Sequence, residues 1–324
     1  MSFGAKSGSC GKLFLKGGTL TCSYQLRFGE AGYGEAEFDA NATLGRGLGL
    51  GRDSTGVGIA RMGAVSISTG EPGGTHGVYV GQSGHGELYM KGTTITITKS
   101  SPVTIAENAG SFGLVRGWGA FENSRTVNKN FTNNGLVIAD GEGADRDLAV
   151  SASYYIVTNS RDNETTNGWY AVGKGCLSLP SPTFSEGASV AVNWGEAQSD
   201  EEIDLVNSAR VVLANVESGG GSLTGKLYAP DRSDVPALPS GKEAVGVWKF
   251  DINGAYESAT VEFRYDHVKA PHGVQMYQLN ADGETWTKLG TELLDGHRAK
   301  VAVTDASRMF AARPNIYSFT IVIR

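Results

Sequence analysis

A glycine turn recurs along this chain at intervals of about 20 to 30 residues, the spacing that marks a solenoid. Its clearest copy lies within Val78 to Ile97, in Val80-Gly81-Gln82-Ser83-Gly84-His85-Gly86-Glu87. Phe28-Gly29-Glu30-Ala31-Gly32-Tyr33-Gly34-Glu35 matches it position by position, and an extended, threonine-bearing stretch follows each. Looser copies run Leu50-Gly51-Arg52-Asp53-Ser54-Thr55-Gly56-Val57-Gly58 and, after Gly113, Leu114-Val115-Arg116-Gly117-Trp118-Gly119. A shorter one is Tyr170-Ala171-Val172-Gly173-Lys174-Gly175-Cys176-Leu177. A chain that turns a corner after each strand needs positive φ or close backbone approach there, and glycine supplies both. Between the turns, Ala64-Val65-Ser66-Ile67-Ser68 and Thr94-Ile95-Thr96-Ile97-Thr98 alternate apolar and polar side chains, the pattern of half-buried strands.

The G-x-x-G-x-G turn, followed by an alternating strand and a Gly-Thr pair, resembles the repeats of bacterial autotransporter passengers and related giant secreted repeat proteins. The likeness covers about residues 20 to 180. Gly168 to Val172 with Leu177-Ser178-Leu179-Pro180 and Val192-Asn193-Trp194-Gly195 is similar to the C-terminal part of such proteins in verrucomicrobial-type bacteria. The resemblance implies a bacterial extracellular or cell-surface setting and no particular chemistry.

The expected fold is all-β, a parallel β-helix or solenoid over residues 1–228 followed by a small antiparallel β-sandwich over 243–324. Residues 1 to 24 read as the capping first coil, since a solenoid's end exposes backbone groups that must be covered or charged. Strands are also predicted at Gly135 to Ile138, Ala152 to Val157 and Ala188 to Trp194. Ser199-Asp200-Glu201-Glu202 has the form of a helix capping box, but β-branched Ala209 to Leu213 favours a turn and then a strand. The boundary is a proline-rich linker, 229–242, which holds Pro230, Pro236 and Pro239. Beyond it strands are predicted at Val245 to Ile252, Ala259 to Tyr265, Val274 to Leu279, Thr285 to Leu289, Ala299 to Val303 and Ile316 to Ile323. Turns at Asn253-Gly254, Ala281-Asp282-Gly283 and Asp295-Gly296 separate several of them.

Composition narrows the class. The 46 glycines are about twice the usual share of ~7%, while only 9 prolines argue against collagen or a disordered linker. A formal net charge of -6 argues against nucleic acid as a partner. No apolar run approaches the ~18 residues of a membrane-spanning helix. Met1 to Ser9 carries no secretory h-region, and the resemblance then implies that the chain is a mature or excised piece of something longer. Cys10 and Cys22 flank a predicted strand and turn; either they form a disulfide, or Cys10, Cys22 and Cys176 are three buried thiols.

Several motifs touch on chemistry. Gly84-His85-Gly86 resembles the Gly-His-Gly of β-helical pectin hydrolases, but the aspartate pair those enzymes need is missing, and Tyr33, Val57 and Trp118 take the place of His85 in the other copies. Gly168 to Gly175 nearly spells a phosphate-binding loop, with Gly175 where Ser or Thr would hold magnesium. In Asp140-Gly141-Glu142-Gly143-Ala144-Asp145-Arg146-Asp147, the carboxylates of Asp140, Glu142, Asp145 and Asp147 are the candidate calcium ligands, against the alternative of a solvated acidic loop. Trp118 and Trp169 are the candidate residues for stacking on sugars, and Trp248 is expected in the sandwich core.

The leading expectation is therefore a non-enzymatic extracellular structural or adhesive protein, an adhesin-like stalk, coat or array subunit capable of self-assembly. Calcium is the one cofactor in view, and the partners are copies of itself or surface glycans. A polysaccharide-degrading enzyme is the alternative, with Asp39, Asp53, Glu87 and Glu122 as the only carboxylates available to converge from different coils. A glycan-binding module is the third reading.

Overall fold

A computed structural model describes residues 1–69, 77–98, 102–124, 129–151, 154–158, 168–180, 183–184, 190–194, 209–217, 219–239 and 243–315. The chain forms two compact units, Met1–Ser181 with Gly195–Ile203, and Pro182–Trp194 with Asp204–Arg324.

The first unit is a parallel β-solenoid whose described residues form seven coils, each contributing to three faces. The first three coils carry β1 (Ser2–Phe3), β2 (Cys10–Leu15) and β3 (Leu20–Cys22); β4 (Leu26–Phe28), β5 (Tyr33–Phe38) and β6 (Ala42–Leu44); then β7 (Leu48–Leu50), β8 (Val57–Met62) and β9 (Ser66–Thr69). In the next two coils one long strand bends across the second and third faces: β10 (Val78–Val80) leads to β11 (His85–Ile97), and β12 (Val103–Ile105) to β13 (Phe112–Asn123). The last two carry β14 (Lys129–Asn133), β15 (Leu136–Ala139) and β16 (Asp147–Val150), then β17 (Tyr154–Thr158), β18 (Trp169–Val172) and β19 (Cys176–Pro180). Each strand lies parallel to its counterpart in the coil before, as a solenoid requires.

Because strands alternate inward and outward, identical positions stack into columns. Leu26, Leu48, Val78, Val103 and Phe131 form one interior column of the first face, and Phe28, Leu50, Val80 and Ile105 the next, all fully buried. On the second face Ala36, Ala60, Leu88, Val115 and Val137 stack likewise, and on the third Ala42, Ile67, Ile95, Phe121 and Val150. Burial of each large apolar side chain contributes about 1.5–3 kcal/mol.

At the corner between the first and second faces, the N–H groups of Gly29, Gly51 and Gly81 donate to Phe3, Phe28 and Leu50 O of the preceding coil. Their φ angles are 66°, 62° and 76°, and Ala106 takes the same place at 53°. Phe112, not Trp118, therefore lies opposite His85, and Trp118 sits inside β13 opposite Lys91. The expected copy at Leu114 to Gly119 is thus strand, not turn; glycine spacing alone does not distinguish a corner glycine from a strand glycine. Likewise Gly173 N donates to Ala139 O at the corner between the second and third faces, so Tyr170 to Leu177 is another corner.

The second unit is a sandwich of two antiparallel sheets. One has the order β20 (Val190–Trp194), β21 (Ala209–Ala214), β24 (Ser258–Arg264), β28 (Arg298–Val303) and β27 (Glu292–Leu294). The other pairs β22 (Ser222–Tyr228) with β23 (Gly246–Asn253), β23 with β29 (Met309–Pro314), β29 with β25 (Val274–Leu279) and β25 with β26 (Trp286–Lys288). Trp248 and Phe250 of one sheet meet Phe263 of the other at 4.6 and 6.2 Å between ring centroids, and Phe310 closes the cluster at 5.3 Å from Phe263. Trp248 is core, as expected.

The sandwich takes in more chain than residues 243–324. Alternation in Ala209, Val211 and Leu213 suits an antiparallel sheet as well as a solenoid coil, and these residues pair with β24. The proline-rich stretch also packs as part of this unit: Ala229 and Leu238 are buried, Arg232 lies over the Tyr228 ring at 5.4 Å, and Trp286 Nε1 donates to Pro236 O at 3.2 Å. The expected strand at Ile316 to Ile323 and the capping-box segment at 199–202 lie outside the described residues. All three cysteines are free thiols: Cys10 is exposed, Cys22 half-buried and Cys176 buried. Cys10 stands opposite Tyr33 on the second face and Cys22 opposite Leu44 on the third, which separates the pair considered for a disulfide.

Candidate functional site: a groove across the second face

The outward positions of the second face form two adjacent columns. Glu37, Arg61, Tyr89 and Arg116 follow one another in register over four coils. With coils about 4.8 Å apart, that column runs roughly 14 Å. Two residues further along each strand come Asp39, Gly63, Lys91, Trp118 and Asp140. Gly63 has no side chain to fill its place, and a groove of about 500 Å³ opens there, lined by both columns.

A β-bulge shapes one wall. The register of β11 against β13 shifts between Lys91 and Thr93, leaving Gly92 as the extra residue at φ 79°. A Cβ on Gly92 would lie 2.6 Å from Trp118 Cζ3, so the missing side chain seats the indole. Thr93 is buried and its hydroxyl donates to Gly63 O at 2.9 Å, tying the bulge to the groove floor. Arg146 lies 5.1 Å from the ring centre of Trp118, and Arg61 5.5 Å from that of Tyr89.

The carboxylates here are already engaged. Lys16 bridges Glu37 at 2.8 Å and Asp39 at 2.9 Å, and Arg116 Nε donates to Asp140 at 2.8 Å. Beside the groove, Glu35 receives Lys12 at 2.7 Å and Arg61. Those partners, led by the hydrogen bond from Lys12, hold its carboxyl below the ordinary carboxylate value against some desolvation. Burial pushes the Glu87 carboxyl up, but hydrogen bonds from His85 at 2.6 Å and Tyr89 Oη at 2.7 Å outweigh it and leave it low. The same hydrogen bond raises the Tyr89 phenol. Lys91 differs from its neighbours: it is exposed and has no ion-pair partner among the described residues.

Of the residues singled out from sequence, the groove gathers Asp39, Trp118 and Asp140, with Glu87 at its border. Asp53 lies in the first corner and Glu122 points outward from the third face, where Thr96 donates to it at 3.3 Å. Trp169 stands opposite Leu136 in β18, and its side chain lies outside what is described. His85 stacks on Phe112 at 4.5 Å between centroids and serves Glu87. The Gly168 to Gly175 segment is strand and corner with no helix start to face a phosphate. The four loop carboxylates considered for calcium do not come together: Asp140 turns to Arg116, Glu142 to Lys174 at 3.5 Å, Asp145 is exposed, and Asp147 lies in β16 opposite Cys176. Among the described residues no group of three or more His, Cys, Asp or Glu is placed to hold a metal ion, and no helix is long and apolar enough to cross a membrane.

Sequence reasoning missed Glu37, Arg61, Tyr89, Lys91 and Arg116. Their signal is the i, i+2 spacing in Glu35-x-Glu37, Ile59-x-Arg61, Glu87-x-Tyr89-x-Lys91 and Leu114-x-Arg116-x-Trp118, which aligns only once the coil register is known. Neither a protein-family model nor a curated protein matches the chain. What is shown of the resemblance drawn from the glycine turns is the β-solenoid fold.

Proposed function

We propose that this chain is a non-enzymatic adhesive protein of the bacterial cell surface or exterior, a rigid solenoid stalk that binds glycan along its second face. The observation that carries this reading is the groove itself. It runs across successive coils, presents the half-buried Tyr89 and Trp118 rings beside the guanidinium groups that lie over them, and sets further charged hydrogen-bonding groups between them. A coil spacing of about 4.8 Å is close to the length of one sugar residue in an extended chain, so a polysaccharide lying along the axis advances about one sugar per coil.

The carboxylates favour binding over hydrolysis. Glycoside hydrolysis needs a pair of carboxyl groups, one of them with a raised pKa so that it acts as the acid. Glu35 and Glu87 are displaced the other way, and Glu37, Asp39 and Asp140 are each held by a cation.

The test is a polysaccharide panel in which binding and cleavage are scored separately on the intact chain. Saturable binding with no new reducing ends is expected. Turnover of any bound polymer would replace this reading with the enzymatic one. Trp118→Ala is expected to weaken binding about tenfold, the order of a lost aromatic platform.

A further inference from the structure

The groove's charges are not evenly used, and this bears on which glycans it takes. Its acids are each engaged by a cation of the protein: Glu37 and Asp39 share the single ammonium of Lys16, and Asp140 takes Arg116. The basic side keeps capacity to spare. Each guanidinium presents five N–H donors in a fixed fork; Arg61 uses its Nη1 on Glu35 and Arg116 its Nε and Nη2 on Asp140. Lys91 uses no carboxylate at all among the described residues. It lies one coil beyond the gap at Gly63, next to Trp118 in register and two residues along the strand from Tyr89.

We infer that the groove selects an anionic glycan, a uronate- or sulfate-bearing polysaccharide. One negative group lies on Lys91 between Arg61 and Arg116, and the adjoining sugar packs beside the half-buried Trp118. This deepens, and rests on, the reading of the groove as a glycan site. A carboxylate or sulfate at Lys91 completes an ion pair, whereas a neutral sugar offers that ammonium only uncharged hydroxyl and ether acceptors. The chain's formal net charge of -6 opposes indiscriminate binding of polyanions, so attraction here is a local property of these three cations.

The experiment measures equilibrium binding of the full chain to four probes at fixed salt: polygalacturonate, its methyl ester, a sulfated galactan and the matching neutral galactan. Acidic polymers are expected to bind at least about tenfold tighter than their neutral counterparts, as one charge-assisted contact predicts. The carboxylate and sulfate arms show which anion is preferred. Lys91→Gln should remove that preference, Lys91→Arg should retain it, and circular dichroism confirms that each variant is folded. Equal binding of acidic and neutral polymers would overturn the anion assignment and leave the glycan site standing. Selectivity that survives Lys91→Gln would overturn it as well. Binding of none of the four would overturn both this assignment and the glycan reading.

Discussion

Ala106 sits at φ 53°, in the corner column otherwise held by Gly29, Gly51 and Gly81. A Cβ on Gly81 would strike Phe112 O at 1.9 Å, but above Ala106 pairing resumes only at Leu114 with Leu136, so no strand residue lies opposite Phe112 in the next coil. Ala106 thus meets conformational strain without collision. Relieving it costs the extra freedom of an unfolded glycine, and Ala106→Gly is expected to stabilise by a net of about 0.5 kcal/mol in urea unfolding. Gly81→Ala carries both strain and collision and should destabilise by about 2–4 kcal/mol. Glu35 and Glu87 give a pH signature. Their folded-state carboxyls lie below the ordinary 4.5, so their stabilisation is complete above that value and is lost as pH falls through the folded pKa. The melting temperature should hold down to about pH 5 and fall below about pH 4.5, with a shallower fall in Glu87→Gln; an identical acid limb in that variant would count against the His85 and Tyr89 hydrogen bonds. The corner glycines were legible at this scale because positive φ selects a residue type. Lys91 was not: nothing in its identity separates it from Lys12 or Lys16, and only the register shows that those two have carboxylate partners while it has none among the described residues.

Strand β11 shows what an element does here beyond its residues. It crosses two faces without a break because Gly92 bulges out of register, and the buried Thr93 hydroxyl fastens that bulge to Gly63 O. Thr93→Val removes one of the two donors to Gly63 O, which keeps Val65 N at 2.8 Å, and should cost about 1 kcal/mol, with weaker glycan binding as the Trp118 seat loosens. The first coil is the opposite case, a set of strands paired on one side only among the described residues. Phe14 is 57% exposed and Tyr24 63% exposed there. An open, apolar edge favours association. Phe14→Lys should therefore reduce any self-association seen by sedimentation velocity while changing stability by less than about 0.5 kcal/mol. Elements were legible where side chains alternate and are β-branched or aromatic, as in Val274–Leu279, whose bounds match the sequence reading. Met309–Pro314 escaped because Ala311, Ala312 and Pro314 have little strand propensity, although both alanines are fully buried at the centre of a sheet. Glu292–Leu294 escaped because three residues show no period.

At the scale of the whole molecule, the solenoid class followed from glycine spacing, while the domain division did not follow from composition. The prolines at 230, 236 and 239 mark a stretch that packs within the second unit, and Ala209–Ala214 alternates in a way that suits either architecture. The groove was illegible for a related reason: Glu37, Arg61, Lys91, Trp118 and Asp140 come from five coils and meet only through stacking. The claim that this stacked face is where the protein engages its ligand is tested most directly by lysine acylation of the intact chain, with and without saturating glycan, read by mass spectrometry. Protection of Lys91 is predicted, with Lys6 and the 71%-exposed Lys269 modified equally in both samples. Modification of Lys91 that is unchanged by bound glycan would contradict it.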